Sequence, residues 1–240
     1  NTVLIIGGAT GIGQATSQLF GARDADVLIG DYNEEEGVKT AGTITSAGGR
    51  CDFFLMDVRR EGSVRSAFER IAARTDHLNT LICSAAILSG AYSAVSDLQE
   101  EDWEATIDTN LKGTYLATKD AAPLLMRAET SVVLLISSGA GVRGGSSSLA
   151  YAASKAGMHG MQYNLERDIT GSRLHVVCPG SIATPLKLEN IGQGAVAQGT
   201  DPEAAMEKAR QTLGDPMGIA RLLAFLASDE AAYVRGTVFT

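Results

Sequence analysis

The segment Val132–Lys155 reads VVLLISSGAGVRGGSSSLAYAASK, and it decides the fold that this sequence predicts. Its first five residues, Val132–Ile136, form an apolar run typical of a strand buried on both faces of a parallel sheet. A loop rich in glycine and serine follows, and Ala150–Leu165 then predicts a helix. Strand, loop and helix in this order indicate one unit of an α/β fold.

Two residues of the predicted helix, Tyr151 and Lys155, stand four positions apart and therefore share one face. We expect the Lys155 ammonium to stabilise the phenolate and so to lower the pKa of Tyr151 toward neutral pH, as a phenolic general acid or base requires. Ser138, at the end of the preceding strand, can aim its hydroxyl at the same substrate oxygen. Because this spacing also occurs by chance on helix surfaces, the rest of the chain must decide whether the pair is catalytic.

The beginning of the chain repeats the pattern of strand, turn and helix. Thr2–Ile6 predicts a strand, and the turn after it contains Gly7, Gly11, Ile12 and Gly13. Glycines allow unusual φ angles and a close approach of the backbone to a ligand, and the N-terminus of the next helix offers unpaired N–H groups. The turn predicts a pyrophosphate site, and an ordinary glycine-rich turn is the alternative.

A carboxylate follows the second predicted strand, Ala25–Gly30. Asp31 has the spacing at which an acidic side chain accepts hydrogen bonds from the adenosine ribose. No basic residue lies between Asp24 and Val38, so a ribose 2′-phosphate would meet Asp31 without a compensating cation. The sequence therefore favours NAD(H) over NADP(H), unless Asp31 merely caps the helix that begins near Asn33.

A second carboxylate follows the third predicted strand, Cys51–Met56. Asp57 and Val58 stand at its carboxyl end, where ligands of doubly wound sheets gather, so Asp57 is placed to reach the adenine. The alternative is that Asp57 caps the helix starting near Glu61.

The middle of the chain predicts a fourth strand, Leu78–Ser84, and a long helical region from Asp97 to Met126, with Asp97 as its cap. Asn110 is an amide in a mostly apolar part of this region. Because a buried amide without partners is costly, we expect Asn110 to bond to a specific group, unless it faces the surface.

The end of the chain predicts a sixth strand at Leu174–Cys178 and the beginning of a last strand at Gly236–Thr240. Residues 186–215 predict an irregular substrate lid with a short helix at Pro202–Thr212. Six strands alternating with helices indicate a single α/β domain over residues 1–240, a doubly wound parallel sheet with helices on both faces.

Composition narrows the class of partner. The 240 residues carry a net charge of −8, which argues against binding nucleic acid or an anionic membrane and favours a small-molecule partner. Three scattered cysteines, Cys51, Cys83 and Cys178, predict buried thiols of a reducing cytoplasm and neither a disulfide framework nor a metal site. The sequence lacks an apolar run long enough to cross a bilayer, so we expect a cytoplasmic protein.

These motifs in this order resemble the short-chain dehydrogenase/reductase family, a family of NAD(P)-binding enzymes with a Rossmann fold. The resemblance spans essentially the whole chain. It rests on the glycines at positions 7, 11 and 13 and on Asp57-Val58, Asn110, Ser138, Tyr151, Lys155, Pro179-Gly180 and Thr184.

The resemblance implies a role for each of four residues. Tyr151 would exchange a proton with the substrate oxygen while Lys155 holds the hydroxyls of the nicotinamide ribose. Ser138 would position the carbonyl or alcohol oxygen, and Asn110 would hold a water that connects Lys155 to solvent.

The resemblance also implies further cofactor contacts. Ile182 and Thr184, after Pro179 and Gly180, are similar to positions that hold the nicotinamide carboxamide, and Ser84 stands in a segment that contacts the cofactor. The family is usually tetrameric, so a homotetramer or a homodimer is expected.

Two neighbouring segments depart from the family pattern. Ile6 stands where threonine is usual, and Cys83–Ala86 stands where Asn-Asn-Ala-Gly is usual. We expect packing to replace a polar link between the two strand ends.

The sequence thus predicts an NAD(H)-dependent oxidoreductase that interconverts a secondary alcohol and a ketone. A 3-oxoacyl-thioester reductase of the same family is the nearest alternative. A catalytically silent dinucleotide-binding sensor is an alternative of a different class.

Overall fold

The computed structural model describes residues 1–236, 238 and 239, and its seven strands form one parallel sheet. The order across the sheet is β3-β2-β1-β4-β5-β6-β7. The strands are β1 Thr2–Ile6, β2 Asp26–Asp31, β3 Arg50–Leu55, β4 Thr80–Cys83, β5 Ser131–Ile136, β6 Ser172–Val177 and β7 Val238–Phe239.

Helices follow the strands in alternation. They are α1 Gly11–Gly21, α2 Glu34–Ser46, α3 Glu61–Arg74, α4 Glu100–Ile107, α5 Gly113–Leu125, α6 Gly139–Arg143, α7 Leu149–Asp168, α8 Pro185–Ala197, α9 Pro202–Thr212 and α10 Pro216–Leu226. A π-helical turn, Asp108–Lys112, joins α4 to α5.

The alternation of side chains along the strands separates two hydrophobic cores. On β1, Leu4 and Ile6 pack into a core with α3 and α5, whereas Val3 and Ile5 pack into a second core with α1, α2 and α10. Because every strand is parallel and both faces are covered, most strand positions are apolar. The prediction of a doubly wound α/β fold is confirmed.

The order of the strands places the ligand crevice. Strand β1 pairs with β2 on one side and with β4 on the other, so the chain reverses its direction across the sheet between β1 and β4. In parallel sheets this switch point opens a crevice outside the carboxyl ends of the strands.

Two details of the sequence prediction were wrong. Residues 186–215 are not mainly irregular, because α8 fills their first part, although α9 coincides with the predicted short helix. Asp97 does not cap α4, whose N-cap is Gln99. The N–H groups of Asp97 and Leu98 both donate to Ala94 O, so these residues form a separate turn before the helix.

The predicted last strand is present as β7, while Thr237 and Thr240 of the predicted range lie outside the described residues. Among the helices that the structure describes, none combines the length and apolar character needed to span a bilayer.

Candidate active site

A cleft of about 1210 Å³ lies along the carboxyl ends of the strands. Most of the site residues predicted from the sequence line it. They are Gly7, Gly11, Ile12, Asp31, Asp57, Val58, Ser84, Ser138, Tyr151, Lys155, Pro179, Gly180, Ile182 and Thr184. The other two, Gly13 and Asn110, are buried behind the lining.

The glycine turn after β1 is shaped by close backbone packing. A Cβ on Gly13 would overlap Gly7 O, and one on Gly7, whose φ is +79°, would overlap the backbone N of Ala85. Gly11, at φ +57°, faces Thr184 across the cleft. A Cβ added to Gly11 would lie 3.3 Å from the Thr184 side chain. The glycines are therefore needed first for packing between β1, α1 and the loop after β4, and this packing brings the turn to the cleft.

The N-terminus of α1 opens into the cleft at this turn. Its N-cap, Thr10, has extended backbone angles and makes no capping bond through its side chain. The N–H groups of the first turn, at Gly11, Ile12 and Gly13, have no carbonyl partner within the helix, and the helix dipole favours an anion there. This end of the cleft fits a pyrophosphate.

Asp31 closes the cleft at the end of β2. It is 9% exposed, and its two carboxylate oxygens accept from the N–H groups of Ala9 and Asn33, each at 3.0 Å. Asn33, not Asp31, is the N-cap of α2, since the Asn33 side chain accepts from Glu36 N. Asp31 thus has a fixed orientation beside the glycine turn, with oxygen lone pairs left for a ligand hydroxyl.

Asp57 carries an ion pair that the sequence reasoning missed. Arg59 donates to both of its carboxylate oxygens, from Nε at 2.9 Å and from Nη2 at 2.8 Å. The hydrogen bond from Arg59 holds the pKa of Asp57 below its usual value. Asp57 does not cap α3, whose N-cap is Arg60. Arg59 lines the cleft next to the predicted Asp57-Val58 motif, so its position in the sequence was the available signal.

Tyr151 and Ser138 lie together in the lining of the cleft. Strand β5 ends just before Ser138, and α7 begins two residues before Tyr151, so strand and helix place the two hydroxyls on one wall. Ser138 accepts from Ala140 N at 3.2 Å, which orients its hydroxyl as the N-cap of α6. Burial raises the pKa of Tyr151, and a hydrogen bond with Ser138 opposes that rise.

Lys155 lies one turn of α7 beyond Tyr151 and is 2% exposed. Its Nζ donates to Ile136 O at 2.8 Å and lies 5.6 Å from the centroid of the Tyr151 ring. Burial lowers the pKa of Lys155 to about 7. The predicted lowering of the Tyr151 pKa by the ammonium was wrong for this structure, because burial opposes the charged form of both groups.

Asn110 supports helix α7 from behind. It is 0% exposed and sits in the π-helical turn. Its Oδ1 accepts from Ile87 N at 2.8 Å, and its Nδ2 donates to Ile87 O at 2.9 Å and to Ser154 Oγ at 3.0 Å. Ser154 in turn donates to Tyr151 O at 2.8 Å. The specific partners expected for this amide therefore lie within the chain itself, in the loop after β4 and in helix α7.

The residues that differ from the family pattern at the ends of β1 and β4 lie together in the core. Ile6 is paired with Cys83 in the sheet, and Ser84 N donates to Ile6 O at 2.8 Å. Both Ile6 and Cys83 are buried, and burial raises the pKa of the Cys83 thiol to about 12. The side chains at these positions pack as apolar groups, while the backbone bond still joins the two strand ends.

Other lining residues carry no sequence motif. They reach the cleft from five separate loops and helices, and the tertiary fold alone brings them together: Thr10, Tyr32, Tyr92, Thr109, Asn190 and Gln193. Within the described ranges, no three side chains of His, Cys, Asp or Glu gather in a way that could hold a metal ion.

Sequence comparisons with known proteins all indicate one family. A sequence model described as short chain dehydrogenase matches residues 1–193. A 3-oxoacyl-(acyl-carrier-protein) reductase from Thermotoga maritima is 31% identical over 98% of this chain and 93% of its own length. Cyclopentanol dehydrogenase from Comamonas is 30% identical over 98% of this chain and 92% of its own length.

A solved structure matches over the whole chain. The actinorhodin polyketide ketoreductase, crystallised with NADPH, superposes with a TM-score of 0.91, covering 100% of this chain and 94% of its own. At 24% sequence identity this match speaks to the fold alone.

Proposed function

We propose that this chain, which belongs to the short-chain dehydrogenase family of oxidoreductases, uses NAD(H) to interconvert a secondary alcohol and a ketone. The observation that carries the proposal is the grouping of Ser138, Tyr151 and Lys155 in one cleft with the N-terminus of α1 and Asp31. The first three residues can handle a proton at a substrate oxygen. The last two features can hold a dinucleotide.

The dinucleotide fits the residues of the cleft. The N–H groups at the start of α1 would hold its pyrophosphate, Asp31 its adenosine ribose, Asp57 and Val58 its adenine, and the segment from Pro179 to Thr184 its nicotinamide. Bound there, an oxidised nicotinamide ring supplies a hydride acceptor and a positive charge.

The chain's own residues would manage the substrate oxygen. In alcohol oxidation Tyr151 takes the hydroxyl proton as general base, and in ketone reduction it returns that proton to the carbonyl oxygen. Ser138 donates a hydrogen bond to the same oxygen and fixes its distance from the phenol. Lys155 places its Nζ beside the Tyr151 ring, where a protonated amine would favour the phenolate that this step needs.

The preference for NAD(H) is supported by the charges at the adenosine end. Asp31 is fixed beside the expected ribose position and would repel a 2′-phosphate. Arg59 is a cation that lines the cleft beside Asp57, but its guanidinium is already paired with both oxygens of Asp57. A 2′-phosphate would therefore have to break that pair to gain a counter-charge.

A second candidate function is the reduction of 3-oxoacyl thioesters, which the similarity to the Thermotoga reductase favours. The two functions differ in the size and polarity of the group attached to the reacting carbon. The sensor alternative is disfavoured, because the relatives named above are a reductase and a dehydrogenase and the three proposed catalytic side chains are present in one cleft.

Turnover tests the proposal directly. The purified chain would be supplied with NAD⁺ or NADP⁺ and a panel of secondary alcohols, sugars and 3-hydroxyacyl thioesters, and formation of the reduced nicotinamide followed by absorbance. We expect turnover with NAD⁺ and a secondary alcohol, absent in Tyr151→Phe. Turnover confined to thioesters would select the second candidate.

We also propose that the chain assembles as a homotetramer or homodimer in the cytoplasm. Large aromatic side chains on two helices support this, since Tyr115 on α5 is 48% exposed and Tyr163 on α7 is 77% exposed. Sedimentation of the purified chain tests the assembly.

A further inference from the structure

Tyr92 is an aromatic side chain of the cleft lining that reaches helix α8. Tyr92 stands in the loop after β4, and its N–H donates to Ser147 O in the loop after β5 at 2.7 Å. Its hydroxyl donates to Asn190 O in helix α8 at 3.2 Å. The Tyr92 side chain therefore bridges the wall of the cleft to the helix that follows the nicotinamide segment.

A further bond closes this bridge into a triangle. Asn190 Nδ2 donates to Ser147 Oγ at 2.8 Å, and Asn190 is 6% exposed. All three residues line the cleft. The two loops are also tied to each other, because Ser148 Oγ donates to Ser89 O at 2.7 Å.

The backbone around the triangle is adapted to it. Tyr92 has a φ of +63°, a conformation that is unfavourable for an aromatic residue and that persists only when surrounding bonds hold it. Gly194 of α8 faces the ring so closely that a Cβ added there would lie 2.8 Å from Tyr92 Cζ and overlap the hydroxyl oxygen. A strained loop residue and a glycine on the facing helix are both needed for the ring to reach α8.

We propose that Tyr92, Ser147 and Asn190 form a latch that holds helix α8 over the substrate end of the cleft, with the Tyr92 ring as the far wall that limits substrate size. Because two of the three bonds end on Asn190 of α8, breaking either of these two loosens α8 relative to one of the loops. A substrate must then fit between Tyr151 and the Tyr92 ring or displace the ring. The size limit rests on the proposed function, whereas the latch itself does not.

Hydrogen exchange of the purified chain tests the latch without any substrate. Tyr92→Phe removes only the bond to Asn190 O, and Gly194→Ala pushes the intact tyrosine away. We expect backbone exchange in α8 to quicken about threefold or more in both variants, since one hydrogen bond is lost. Gly218→Ala, a helical glycine in α10 whose added Cβ meets nothing within 4 Å, is the matched control and leaves α8 unchanged.

The size limit is tested with cyclopentanol and the larger 4-phenylcyclohexanol as alcohol probes. Tyr92→Ala is expected to shift the ratio of kcat/KM by about tenfold toward the larger alcohol, because it removes the far wall. An unchanged ratio would overturn the size limit.

The two proposals fail in different ways. Unchanged exchange in α8 of both latch variants, or an equal rise in Gly218→Ala, would overturn the latch whatever the turnover. No turnover of any alcohol by the wild type would count against the proposed function and leave the exchange result to decide the latch.

Discussion

The Lys155 ammonium and the Tyr151 ring lie on the same face of α7, with Nζ 5.6 Å from the ring centroid, and the ammonium donates to Ile136 O instead of the phenol. The lysine therefore lies beside the tyrosine and is hydrogen-bonded to the backbone of β5. A positive charge on Lys155 in the core costs free energy, and this cost lowers the pKa of Lys155 to about 7. Removing the lysine should thus help the fold and harm the chemistry.

The free energy of unfolding should reveal the buried lysine through its pH dependence. Between pH 7 and 10.5 the unfolded chain keeps a proton on Lys155 that the folded chain has released, so the contribution of Lys155 to stability rises with pH in this window. Below pH 7 both states hold the proton and the cost of burial is constant. Each unit of lowered pKa corresponds to about 1.4 kcal/mol.

Lys155→Met should accordingly be more stable than the wild type by a few kcal/mol at pH 7, with a difference that shrinks toward pH 10.5. Denaturant unfolding of both proteins across this range, without cofactor, is the measurement. A difference that does not change with pH would show that Lys155 is not buried with a lowered pKa.

Cofactor selectivity should depend on Asp31. Asp31→Asn removes the charge and keeps an oxygen that can accept from Ala9 N or Asn33 N. We expect the dissociation constant of NADPH relative to that of NADH to fall roughly tenfold to a hundredfold, because a repulsion of a few kcal/mol is partly screened. Fluorescence titration measures both constants.

The control for this change is Asp26→Asn, at the opposite end of β2, where Asp26 pairs with Arg74. It should leave the ratio of the two dissociation constants unaltered. An equal effect of both variants would mean that overall charge, and not the position of Asp31, sets the selectivity.

The glycine turn should not tolerate a side chain at position 13. Gly13→Ala places a Cβ against the carbonyl of Gly7, and backbone cannot move aside cheaply there, so we expect a loss of roughly 3 kcal/mol or more in the free energy of unfolding. Gly62→Ala in α3 meets nothing within 4 Å and should stabilise the helix by up to about 1 kcal/mol. Thermal unfolding of the pair separates backbone overlap from helix propensity.

Asn110 should affect turnover without affecting cofactor binding. Asn110→Leu leaves the N–H and carbonyl of Ile87 unpaired, costs roughly 3 kcal/mol of stability, and releases Ser154 beneath Tyr151. We expect kcat to fall while the dissociation constant of NADH stays within about twofold. Ser154→Ala loses fewer bonds and should show a smaller fall in kcat; a larger fall would place the effect at Ser154.

The sequence predicted the sheet and most of the cleft because their signals are local. Buried parallel strands such as β1 and β5 are continuous apolar runs, and the residues just after them must lie at one edge. This rule helped to place Asp31, Asp57 and Ser138 at the cleft, and all three line it. The sequence placed the glycine turn at the correct edge of the sheet. The structure shows that close backbone packing requires Gly7 and Gly13, whether or not a ligand is bound.

Other features depend on tertiary contacts that a sequence does not display. Helix α8 contains Gly192 and Gly194, which predict a loop, yet Gly192 packs on Met206 of α9 and Gly194 makes room for Tyr92. The pKa of Tyr151 could not be predicted either, since the spacing of Lys155 shows its proximity but not the burial that both groups share. The pairing of Arg59 with Asp57 was missed because Arg59 follows the Asp57-Val58 motif without being part of it.

The most direct test of the account is the turnover of Tyr151→Phe with NAD⁺ and a secondary alcohol that the wild type oxidises, measured with NADH binding in the same preparation. Loss of the general base should lower kcat by roughly a thousandfold or more, while the dissociation constant of NADH stays near the wild-type value. Turnover within about tenfold of the wild type would contradict the assignment of Tyr151 as the proton-transferring residue, and with it the proposed mechanism.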